Sequence, residues 1–140
     1  MYNVVLDTNV FISSIFWARG HPHHIIQLAL DRKIHVFVTE EVLEELEKVM
    51  RIDFEEPEEI VQRQLALILG FSTVVSPEDV GNVVKMDPED DKLLRCARRI
   101  HADYLISGDK HLLALTQFRN TKIVSPKEFV DMFRAKEKNS

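Results

Sequence analysis

The sequence predicts a three-layer α/β/α fold, Rossmann-like, with a central and mostly parallel sheet. Three observations predict it. Apolar runs at residues 2–6, 34–38, 72–75, 104–107 and 121–124 are too short for helices. The segments between them carry apolar residues at three-to-four spacing, and the two kinds of segment alternate almost throughout. That order favours parallel strands with helices on both faces, where sites gather at the carboxyl ends of the strands.

Each element has its own local reason. Val4, Val5 and Leu6 form a continuous apolar run that stops at Asp7. Phe11, Ile12, Ile15 and Phe16 then repeat with helical period, Gly20 and Pro22 punctuate, and Ile25, Ile26, Leu28, Ala29 and Leu30 make a second amphipathic stretch. After the strand at 34–38, Thr39 is a natural N-cap with Glu40 and Glu41 in the first turn, ahead of a stripe of Val42, Leu43, Leu46, Val49 and Met50. Pro57 opens the next helix, whose inward residues are expected to be Ile60, Val61, Leu65, Ile68 and Leu69, with Gly70 closing it. Asp87 and Pro88 start a helix carrying Leu93, Leu94, Ala97 and Ile100, and a short helix at 110–116 follows the strand that ends at Gly108 and Asp109. Ser125, Pro126 and Glu128 combine an N-cap, a first-turn proline and a capping-box glutamate before the terminal helix.

At 140 residues, 45% hydrophobic and 29% charged, the chain suits one domain able to bury its own core. Its one cysteine, Cys96, lies in an apolar stretch, which excludes a disulfide framework and favours a small buried role in a reducing compartment. The amino terminus has no basic leader, and no apolar run is long enough to span a bilayer, so a soluble cytoplasmic protein without membrane association is expected. A net charge of −5 argues against a general nucleic-acid coat. Its distribution is uneven: ten acids between Glu40 and Glu59 face only Lys48 and Arg51, while Lys92, Arg95, Arg98 and Arg99 cluster, as do Lys127, Arg134, Lys136 and Lys138. Basic surfaces for phosphates are expected at these two clusters.

The chemistry resides in carboxylates. Asp7 and Asp109 each follow a predicted strand, which places both at one edge of a parallel sheet, although aspartate is also common as a plain helix cap. The run Asp87, Pro88, Glu89, Asp90, Asp91 holds more acid than a helix start needs. Asp87 reads as the cap. On the helix after Thr39, about 100° per residue puts Glu45 and Glu47 at the two borders of the apolar stripe, and spacing alone does not choose between them.

These residues, taken in order, resemble the PIN-domain nucleases, a family that includes VapC-like toxins of prokaryotic toxin–antitoxin systems. The resemblance spans nearly the whole chain. It rests on Leu6-Asp7-Thr8-Asn9-Val10 after the first strand, Thr39 with Glu45-Leu46 six residues on, Asp90 seven residues before Ala97, and Ser107-Gly108-Asp109 after a strand. The Asp-Pro-x-Asp-Asp run and the Gly-Asp-Lys-x-Leu-Leu ending are similar to a subgroup of toxin-like members. One departure is His111, which stands where that subgroup often has a second aspartate.

The resemblance implies that residues 1–134 form a nuclease domain followed by a polar tail at 135–140. It implies that Asp7, Glu45, Asp90 and Asp109 hold magnesium or manganese, with Asn9, Ser107 and Asp91 as supporting polar residues. Clustered carboxylates need such a hard cation to relieve their repulsion. The implied activity is metal-dependent endonucleolytic hydrolysis of RNA, leaving a 5′-phosphate and a 3′-hydroxyl. An antitoxin protein as partner, and a homodimer or higher oligomer, stay open from the sequence. So does a catalytically weak member whose function is RNA binding or regulation. A phosphatase with Asp7 as nucleophile fits less well, because Asn9 stands where a second aspartate is needed. His21, His23 and His24 lack the partners of a zinc motif and are expected in a loop.

Overall fold

The structure, a computed structural model, describes the backbone of residues 1–76 and 88–139 and the side chains of 1–76 and 92–139. In chain order the elements are β1 (Tyr2–Leu6), α1 (Thr8–Phe16), α2 (His21–Leu30), β2 (Ile34–Thr39), α3 (Glu40–Lys48), α4 (Glu58–Phe71), β3 (Ser72–Val75), α5 (Pro88–Ile100), β4 (Tyr104–Ile106), α6 (Lys110–Leu115), β5 (Gln117–Phe118), β6 (Thr121–Val124) and α7 (Pro126–Lys138). The strands form one sheet in the order β3-β2-β1-β4-β6-β5, parallel except for β5 against β6. The chain steps outward from β1 to β2 to β3, then returns across the sheet to β4 and continues to β6. Parallel crossovers are right-handed, so the helices of the outward steps cover one face, and α5 and α6 of the return steps cover the other. This is the three-layer α/β/α arrangement the alternation predicts.

The central strands are sealed on both faces. Val4, Val5 and Leu6 of β1 and Leu105 and Ile106 of β4 are buried, which is why they read as unbroken apolar runs. α5 packs Leu93, Leu94, Cys96 and Ala97 against β1 and β4. Burial pushes the Cys96 thiol up to about 12, so it stays protonated and acts as a small core residue. Thr39 caps α3 as expected, its hydroxyl accepting from the Val42 amide at 3.3 Å, and Ser125 and Glu128 form the reciprocal capping box.

Four local expectations are corrected. The helix begun by α3 passes into a π-helical turn, Val49–Asp53, where the Phe54 amide reaches the Val49 carbonyl at 3.1 Å. Leu69, expected inward, is exposed, as is Leu30 at the end of α2, because each stripe drifts off the core by its last turn. The expected histidine loop is helix, since His21, His23 and His24 lie in the first turn of α2 around Pro22, a residue that favours a helix's first turn. Finally, α7 continues to Lys138 where a polar tail from Ala135 was expected. Lys136 donates to the Tyr2 hydroxyl and Lys33 to Glu137 at 3.1 Å, which holds these turns against the start of the sheet.

Candidate active site

The strand order reverses between β1 and β4, the switch point at which parallel α/β sheets open a crevice outside the strands' carboxyl ends. Leu6 pairs with Ile106, and the Asp7 amide donates to the Ile106 carbonyl at 3.0 Å. Asp7 and Ser107, a hundred residues apart in sequence, therefore stand side by side at the head of the crevice.

Asp7 begins α1, yet its side chain makes no N-cap hydrogen bond, so the capping explanation for this aspartate fails. Its carboxylate instead accepts from the buried Ser107 hydroxyl at 2.7 Å. Burial pushes the Asp7 carboxyl above its ordinary range. The Ser107 hydrogen bond and the Thr8 backbone oppose that shift, and the charges of Glu45 and Asp109 add to it. Two of the other acids drawn from the sequence, Glu45 and Asp109, thus lie within electrostatic reach of Asp7. Asp109 differs from Asp7, because one of its oxygens caps α6 by accepting from the His111 amide at 2.7 Å. The cap leaves its second oxygen for other partners.

Ser107 links the two aspartates. Its hydroxyl donates to Asp7 and accepts from the Asp109 amide at 2.9 Å. Ser107→Ala would leave that amide and a half-buried carboxylate oxygen without their partner, and should cost about 1–3 kcal/mol in denaturant unfolding. A cost under ~0.3 kcal/mol would show that the link contributes nothing.

Glu45 and Glu47 separate clearly. Glu47 belongs to an exposed network, accepting from Arg51 at 2.6 Å while Arg51 also grips Glu58 and holds that carboxyl down to about 2. Glu45 turns the other way and accepts from Lys92 of α5 at 2.5 Å. Lys92 is the residue at this site that sequence reasoning missed. It sits in the expected basic cluster, but nothing local to it points to Glu45.

Asp90 lies in the first turn of α5, and the placements expected for the side chains of Asp87, Asp90 and Asp91 fall outside the described residues. Asn9 is exposed in the first turn of α1, and His111 is exposed in that of α6. The expected basic surfaces are largely engaged: Lys127 pairs with Asp131, Arg134 meets His24, and Lys92, Arg95 and Arg98 are half-buried with partners. Among the described residues no three His, Cys, Asp or Glu side chains stand close enough together to hold a metal ion as placed. The donor set still suits a hard divalent cation in kind, being all carboxylate oxygen with one member half-buried and repelled by two others. Beside it the buried Thr8 hydroxyl has no hydrogen-bond partner, the sort of orphaned group that bound water or a ligand satisfies.

A family model described as PIN domain matches residues 3–111. The chain belongs to the PIN-domain nuclease family. A relative of this PIN domain, an uncharacterized protein of Methanocaldococcus jannaschii, MJ1680, is 30% identical over 93% of this chain and 90% of its own length. Two solved structures share the fold of this PIN domain. A chain in the structure of VapBC2 from Rickettsia felis, bound to a DNA fragment from their promoter, superposes with a TM-score of 0.66 at 14% identity. That match covers 88% of this chain and 98% of the other. The PIN domain of RRP44 from T. brucei gives 0.57, also at 14% identity, over 99% of this chain and 86% of the other. Among the described residues of this PIN domain no helix is long and apolar enough to cross a membrane.

Proposed function

We propose that this PIN domain is a magnesium- or manganese-dependent endoribonuclease in which Asp7, Glu45, Asp90 and Asp109 hold the ion. The observation that carries the reading is Asp7. It is a carboxylate placed at the head of the crevice, set by Ser107, spared from capping its own helix and facing the charges of Glu45 and Asp109. A half-buried carboxylate kept charged beside two other acids, at electrostatic cost, is the mark of a functional group. When bound, a divalent ion supplies a water of lowered pKa and neutralises charge on the phosphate. The protein's part is to fix carboxylate oxygens at the strand edge, with Ser107 orienting Asp7 and Asn9 and Asp91 supporting the rim. The products are a 5′-phosphate and a 3′-hydroxyl. The protein works in the cytoplasm, and pairing with itself into a homodimer or higher oligomer is part of the reading.

RNA cleavage should require added magnesium or manganese, stop in excess chelator and return when manganese is restored. Cleavage undiminished by chelator would overturn the mechanism, and no cleavage under any ion would favour an RNA-binding or regulatory role. The fold shared with a chain of VapBC2 supports a second layer to the proposal, that the protein is a toxin held by an antitoxin protein. Expression that arrests growth with Asp7 intact, but not in Asp7→Asn, tests it.

A further inference from the structure

The contact between Glu45 and Lys92 joins α3 to α5 across 47 residues of sequence, with the ammonium 2.5 Å from the Glu45 carboxylate oxygen and the two side chains 36% and 16% exposed. Its Glu45 member lies within electrostatic reach of Asp7, whose carboxyl is raised by the charges of both Glu45 and Asp109. The ammonium offsets charge on Glu45 itself, as a divalent ion bound to that carboxylate would. An ammonium and a divalent ion held by one carboxylate repel each other, so the two cations compete for Glu45 through their charge even though the carboxylate has lone pairs on both oxygens. A lysine is suited to such an exchange, being a point charge on a flexible four-carbon stem that can withdraw without moving the backbone.

We propose that Lys92 is a resident counter-ion of this site, which competes with the divalent ion for Glu45 and so sets the ion concentration at which the site loads. The inference rests on the reading of Glu45 as an ion ligand. Lys92 holds Glu45 while the site lacks a divalent ion, and loading weakens or displaces this contact against the repulsion of the two cations, so part of its strength is subtracted from the apparent ion affinity.

The test is manganese alone, titrated calorimetrically into the full chain with no RNA present. Lys92→Met keeps an apolar stem without the charge, and should bind manganese about two- to fivefold tighter, the ratio expected for removing an ion pair worth up to ~1 kcal/mol. Lys92→Arg, which can grip Glu45 with two parallel hydrogen bonds, should bind it no better than wild type. A field effect of the lost charge is separated by a double-mutant cycle. In a Glu45→Gln background the gain from Lys92→Met should largely disappear if the competition runs through that carboxylate. Manganese affinity unchanged or weakened in Lys92→Met, or a gain that survives in full with Glu45→Gln, overturns the counter-ion role. Wild type that binds no manganese would bring down the ligand reading with it, whereas wild-type binding with an indifferent Lys92→Met sinks this inference alone.

Discussion

Asp7→Asn should lower RNA cleavage by at least about 100-fold, which corresponds to ~2.7 kcal/mol of lost transition-state stabilisation, and should raise the melting temperature of the metal-free protein. The two effects have one cause. Burial and the charges of Glu45 and Asp109 lift the Asp7 carboxyl above its ordinary value of 3.8, so the ionised form is the one the fold disfavours. A raised folded value means that the stabilising contribution is complete below 3.8 and is lost as pH rises through the folded value, leaving a net cost at neutral pH. Asparagine keeps an oxygen for the Ser107 hydroxyl and removes the charge, and a gain of ~2–4 °C is expected near pH 7. That gain should shrink as pH falls toward 3.8, where wild-type Asp7 is itself becoming neutral. Manganese should stabilise wild type by mass action and leave Asp7→Asn nearly unmoved. A variant that melts lower than wild type without metal at pH 7 would mean that the charge at this position supports the fold, contrary to the site proposed.

The second large effect is a contrast between neighbours. Glu45→Gln should reduce cleavage by about 100-fold or more, since it removes a charge that faces Asp7. Glu47→Gln should leave cleavage near wild type, with little change in melting temperature, because its carboxylate sits in a solvent-exposed network with Arg51. The two glutamates border the same apolar stripe, so equal losses from both would indicate damage to α3 rather than to a site. Loss confined to Glu47→Gln would place the ligand on the wrong border of the stripe.

The amino-acid pattern by itself determined the kind and order of most elements. Apolar runs cut off by Asp7 and Gly108, the Thr39 cap and the Ser125–Glu128 capping box are local signals, decided by dihedral preference and by hydrogen bonds within a few residues. It also put Asp7 and Asp109 just after strands, which in a parallel sheet is enough to place them on one edge. β5 escaped because its two residues are held by a tight turn at Arg119, φ 53°, with none of the glycine or aspartate signals that mark such a hairpin. The continuation of α7 through Lys138 depends on Tyr2 and Lys33, far away in sequence. Only the tertiary structure decided that β1 lies beside β4, that Ser107 therefore reaches Asp7, and that Glu45 meets Lys92 of α5 while Glu47 meets Arg51 on its own side of the helix. Periodicity reports which face of a helix or strand is apolar, whereas strand order and the partner of a border residue are set by contacts between segments that meet only once the sheet has closed around its core.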